Sequence, residues 1–94
     1  MEMKEIRLSD YKSDKKIIVS LNSNEFCFFV KSKNNENIRG FFTAGIATCS
    51  VIIISINQDD YLFFSHFHEK SNIMSEIVKT ILPVIKTEKI YRLI

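Results

Sequence analysis

Proline occurs once and glycine twice in this 94-residue chain, so there is little material for long flexible loops and a compact fold is expected. Charge of one sign is also missing. Thirteen basic against eleven acidic side chains leave a formal net charge of +2, far from the concentrated positive field that a nucleic-acid partner requires. Cysteine is limited to Cys27 and Cys49, and one pair without a leader is a poor sign of an oxidising compartment, so both are expected as free thiols. The opening Met1-Glu2-Met3-Lys4-Glu5 has no apolar leader core, and the run Val51 to Ile56 is too short to span a bilayer. The expectation is a soluble protein without a membrane partner, acting in the cytoplasm or delivered into a host cytosol by a signal not readable here. Repeats, low-complexity tracts and phosphate-cradling glycine loops are absent as well.

What the chain does have is apolar, β-favouring material. The hydrophobic fraction is 46%, with eight Phe and several Ile and Val runs, which suits one β-rich core and hence a single domain over residues 1–94. Lys16 to Leu21 and Glu25 to Lys31 read as strands separated by the turn residues Asn22-Ser23-Asn24. Ile38 to Thr43 reads as another, leading into Gly45, where a backbone without Cβ can bend sharply. Cys49 to Ile56, nearly all apolar, predicts a strand buried on both faces, and Asn57-Gln58-Asp59-Asp60 predicts the turn into Tyr61 to Phe67. Ser71 and Asn72 then precede apolar residues at helical spacing, predicting an amphipathic helix from about residue 72 to the low eighties, ended or kinked by Pro83. Lys89 to Ile94 reads as a closing strand. The predicted class is α+β: a mostly antiparallel sheet or sandwich packed with one C-terminal helix.

The hairpin between Cys49 and Phe67 carries the chemistry. With Gln58 and Asp59 at its centre, Val51 falls opposite His66 and Cys49 opposite His68, so these four residues share one face. Cys49 and His66 are then diagonal neighbours with Cβ atoms within about 8 Å, while a one-residue slip would put them on opposite faces. A thiol attacks a carbonyl carbon as thiolate, so it needs an imidazole to take its proton and a polar group to orient that imidazole. The small residues Ala44, Gly45, Ala47 and Thr48 before Cys49 offer amides that can converge on an oxyanion.

Thr43, Gly45, Cys49 and His66 together resemble the signature of the CheD chemoreceptor glutamine deamidases, which runs Thr, any, Gly, any, Gly, Ser, Cys, with His seventeen positions after Cys. Ala47 stands in place of the second Gly and Thr48 in place of the Ser. The cytotoxic necrotizing factor toxins resemble the same arrangement more loosely. The likeness covers roughly residues 38 to 82. It implies a cysteine-dependent protein-glutamine deamidase in which Cys49 is nucleophile, His66 base and then acid, and Thr43 the orienter of His66. Gly45, Ala47, Thr48 and Cys49 would supply the oxyanion-binding backbone, and the partner would be a protein carrying the target glutamine. No cofactor is implied. The short length favours a stand-alone effector or toxin-like enzyme over a chemotaxis component.

Other readings of these residues are weaker in chemistry. His66, His68 and Cys49 on one face offer nitrogen and sulfur to zinc, but a two-residue His spacing without a second Cys is a poor metal pattern, so no metal is expected and His68 is read as a substrate contact. Cys27 lies within Phe26-Cys27-Phe28-Phe29, surroundings that disfavour a thiolate. Asp59 and Asp60 are turn formers, not paired catalytic carboxylates. From a different functional class, the alternative is a non-catalytic binding or inhibitory module on the same scaffold, engaging a partner through Phe63, Phe64 and Phe67.

Overall fold

The computed structural model describes residues 2–11, 15–32 and 37–88. Its strands are β1 (Lys4–Glu5), β2 (Ile17–Leu21), β3 (Glu25–Val30), β4 (Ile38–Thr43), β5 (Cys49–Ile56) and β6 (Tyr61–His68). A 3-10 turn spans Leu8–Asp10, and the helix α1 spans Ile73–Glu88. The fold is α+β, mostly strand with one C-terminal helix, as its sequence predicts. Four strands form one sheet in the order β1-β3-β6-β5, and β2 pairs with β4 as a separate two-stranded ribbon. Pairing is mixed: β3/β6 and β5/β6 are antiparallel, whereas β1/β3 and β2/β4 are parallel.

Strand alternation assigns the two faces of the sheet to two different partners. Cys27 on β3, Phe64 on β6 and Val51 on β5 face the ribbon and pack with Val19, Leu21, Phe41 and Leu8. Phe26, Phe63, Ile56 and Phe28 face the other way and pack against Ile73, Ile77, Ile81, Val84 and Ile85 of α1. Each apolar stripe is thereby withdrawn from water by a different layer, with β6 at the centre contributing to both cores. The turn Asn22–Asn24 does not close a hairpin. It carries the chain from the ribbon layer down to the sheet, with Asn24 at φ 61, a conformation Asn tolerates better than most side chains.

Two expectations need correction. β5 is not buried on both faces: it is an outer strand of the sheet, only Ile56 in it is buried, and Ile53 remains 57% exposed, because a ribbon of two strands is too narrow to cover it. Pro83 does not end α1, which runs on to Glu88. Pro83 and Lys79, whose carbonyl loses its intrahelical donor, are both exposed residues, while Val84 and Ile85 pack the following turn onto the sheet. The ribbon pairing was not visible in the sequence, nor was β1, a two-residue strand too short and polar to show a period. The predicted strand Lys89 to Ile94 lies outside the described residues. No helix among the described residues is long and apolar enough to cross a membrane.

Candidate functional site

The β5–β6 hairpin turns through residues 57–60, with Asn57, Gln58 and Asp59 at φ 56, 54 and 69. Side chains hold this left-handed run together: Ser55 Oγ donates to Asp59 Oδ1, and Asn57 Nδ2 donates to Asp60 Oδ2 at 2.7 Å. The register that follows pairs Val51 with His66 and Cys49 with His68. Cys49, Val51, His66 and His68 therefore line the ribbon-facing side of the sheet, with Cys49 and His66 as diagonal neighbours.

His66 is 2% exposed, sealed beneath the ribbon. Thr43, the last residue of β4, places its Oγ1 2.6 Å from His66 Nδ1 and donates its proton to the Leu21 carbonyl at 2.8 Å. A hydroxyl has one proton to give, so Oγ1 must accept from Nδ1–H. That fixes the neutral imidazole as the Nδ1–H tautomer and leaves a bare lone pair on Nε2. Nε2 has no hydrogen-bond partner and no solvent. A buried polar atom left in this state costs about 1–3 kcal/mol, an expense the fold carries without structural return.

Cys49 opens β5 after the loop of residues 44–48. Gly45 makes the bend at φ 76, the left-handed region open to a residue without Cβ. The loop closes on itself as Cys49 N–H donates to the Ile46 carbonyl at 3.3 Å. The Cys49 amide, expected to serve an oxyanion, is thus engaged within its own turn; Gly45, Ala47 and Thr48 are exposed. The half-buried Cys49 thiol meets Ser23 Oγ at 3.4 Å, and no hydrogen bond joins it to His66 among the described residues.

The turn between β2 and β3 is the part of the site that sequence reasoning missed. Ser23 touches the thiol. Asn24 Oδ1 accepts from His68 N–H at 3.0 Å and also from Ser71 Oγ. Glu25 pairs with His66 across the β3/β6 ladder and accepts Asn22 N–H at 2.6 Å through Oε1. The signal available was three consecutive polar turn residues, with nothing local to say that they fold over a strand 26 positions away. His68, opposite Cys49, accepts Lys70 N–H at its Nδ1 at 3.2 Å, which places the proton of its neutral ring on Nε2.

Cys27 differs from Cys49 in its exposure. It is fully buried in the ribbon-side core, and its thiol is pushed up to about 12 by loss of water and by the Glu5 carboxylate. Phe63 and Phe64 are likewise buried and Phe67 is half-buried, because β6 is an inner strand; they form no partner-binding surface, contrary to the expectation for a binding module. Among the described residues no three His, Cys, Asp or Glu side chains converge as metal ligands. Comparison with protein-family models, curated proteins and solved structures finds no match.

Proposed function

We propose that this chain is a cysteine-dependent protein-glutamine deamidase, with Cys49 as nucleophile, His66 as general base and acid, and Thr43 as the residue that orients His66. The observation that supports this reading most strongly is the bare, buried Nε2 of an imidazole whose other nitrogen is held by Thr43, on the same sheet face as a half-buried thiol. A core histidine kept only for packing has no need of an unpartnered nitrogen.

In the reaction, Nε2 takes the Cys49 proton and the thiolate sulfur adds to the carboxamide carbon of a glutamine side chain. The Cys49 side chain turns from Ser23 toward His66 for this step. The oxyanion falls to exposed amides of the loop before Cys49, chiefly those of Ala47 and Thr48, each worth roughly 3–4 kcal/mol if well placed. Collapse breaks the C–N bond, and the imidazolium hands its proton to the departing ammonia. His66 then deprotonates a water, which adds to the thioester carbon; the C–S bond breaks, the imidazolium returns its proton to the departing Cys49 sulfur, and glutamate is left. The partner acquires a negative charge where it had a neutral amide, a change able to open an interface or ion pair. His68, opposite Cys49 in the ladder, is the substrate contact.

Mass spectrometry of candidate targets tests the assignment: conversion adds about 1 Da per glutamine and is abolished in Cys49→Ser. Full activity in that variant removes Cys49 as nucleophile. A non-catalytic interaction module remains the alternative, favoured by the Cys49–Ser23 contact and the engaged Cys49 amide; it predicts no mass change on any target.

A further inference from the structure

The strand that begins with the nucleophile is also an outer strand of the sheet. β5 pairs with β6 on one side, and among the described residues no strand pairs its other side. Edge strands are ordinarily blunted by charge, proline or a bulge, since a row of unpaired N–H and C=O groups templates another strand. β5 has none of these: its sequence Cys-Ser-Val-Ile-Ile-Ile-Ser-Ile carries no charge and no proline, and its register with β6 is unbroken over eight residues.

The geometry points to β5 as the docking edge for the substrate, which binds as an extended segment added to the sheet beside Cys49–Ile56, with its glutamine opposite Cys49. This rests on the deamidase reading and names the form of its substrate. Residues paired across a ladder project to the same face, so a substrate side chain opposite Cys49 points to the ribbon side, where His66 and Thr43 also lie. Its Cβ would stand about 4.5–5.5 Å from the Cys49 Cβ, and the glutamine carboxamide carbon is two bonds further out, within reach of the sulfur. A folded loop or helix would have no comparable main-chain register to set that distance.

The same period sets a preference. Ile53 lies on the ribbon side, four residues along β5 from Cys49, and is 57% exposed. The substrate residue opposite it, four positions from the glutamine, should be apolar, because it covers that side chain. A second copy of the chain is the competing occupant, but it would bring an uncharged strand over the thiol without supplying a glutamine, as β5 contains none.

The test uses the full chain and a capped nonapeptide, Ile-Thr-Ser-Thr-Gln-Thr-Ser-Thr-Ile, with amide hydrogen exchange of Cys49→Ser and mass analysis of the peptide after exposure to wild type. Exchange at alternate amides of residues 49–56 should slow by about 10-fold or more with millimolar peptide. Moving each Ile one position nearer the Gln should cut conversion by about 5-fold or more, because it turns the Ile to the other face. Conversion without protection along β5 overturns edge docking and leaves the deamidase reading standing. Protection along β5 with an intact glutamine in wild type supports edge docking and removes the deamidase reading. Neither protection nor conversion overturns edge docking, as does slow exchange that rises with protein concentration before peptide is added, the mark of a second copy on the edge.

Discussion

Thr43 Oγ1 stands between His66 Nδ1, at 2.6 Å, and the Leu21 carbonyl, at 2.8 Å, so one hydroxyl ties the imidazole to the ribbon that covers it. Thr43→Val keeps the shape and removes both bonds. It should cost about 1–3 kcal/mol of stability, since Nδ1–H and the carbonyl are both left wanting. The loss of the fixed tautomer should also lower Cys49 reactivity by about 10- to 100-fold, with Thr43→Ser recovering most of it. Ring nitrogen chemical shifts of His66 distinguish this from simple loosening: the wild type should show Nδ1–H as the dominant neutral form and Thr43→Val a mixture. An unchanged tautomer would remove Thr43 as the orienting residue.

The two thiols provide an internal comparison. Cys27 is fully buried with its proton held tightly, while Cys49 is half-buried at the start of an edge strand. Near neutral pH, iodoacetamide should label Cys49 at least about 10-fold faster than Cys27, which should react only on unfolding. His66→Phe should slow Cys49 labelling by a similar factor. It should leave stability within about 1 kcal/mol of wild type, because the unpartnered Nε2 goes with the ring. Equal, slow labelling of both thiols in the wild type would instead fit an inert pair and the interaction module.

How far the sequence reached depended on whether the controlling interaction was local. The β5–β6 register could be read because Asn57 to Asp60 combine turn residues with flanking β-favouring runs, and a two-residue period then fixes every face. Thr43 beside His66 came through family resemblance, since residues 23 apart on different layers share no local pattern. Ser23, Asn24 and Glu25 went unseen for the same reason: their part in the site is made by the ribbon folding back over the sheet. The parallel β2/β4 pairing is long-range as well, and nothing in either strand distinguishes a ribbon from a continuous sheet. Pro83 misled because a local rule met tertiary packing, with Val84 and Ile85 held against the sheet just beyond it.

Alkaline stability should carry the signature of Cys27. Its folded-state thiol, at about 12, lies above the ordinary value of 9.0, so between these limits the unfolded chain gives up a proton that the folded chain keeps. The contribution is fully present below pH 9 and is lost as pH rises toward 12. In urea melts the wild-type midpoint should fall more steeply over that window than the midpoint of Cys27→Ala, which starts lower because of the cavity it leaves. Parallel curves would show that Cys27 ionises as readily in the folded protein as in the unfolded one.

Pro83 lies on the helix side of the sheet, away from the face that carries Cys49 and His66. It sits inside α1, where its ring forfeits the bond to the Lys79 carbonyl, and it borders a cavity of about 210 Å³ with Phe28, Tyr61 and Val84. Pro83→Ala restores one helical bond at an exposed position and should raise stability by about 1–3 kcal/mol in urea melts. Because α1 covers the face of the sheet opposite to Cys49 and His66, the rate of Cys49 labelling should stay at the wild-type value. A loss of stability would show that ring packing at Phe28 and Tyr61 outweighs the missing bond. A changed labelling rate would mean that the two faces are coupled through β6, whose buried Phe63 and His66 stand on opposite sides of one strand.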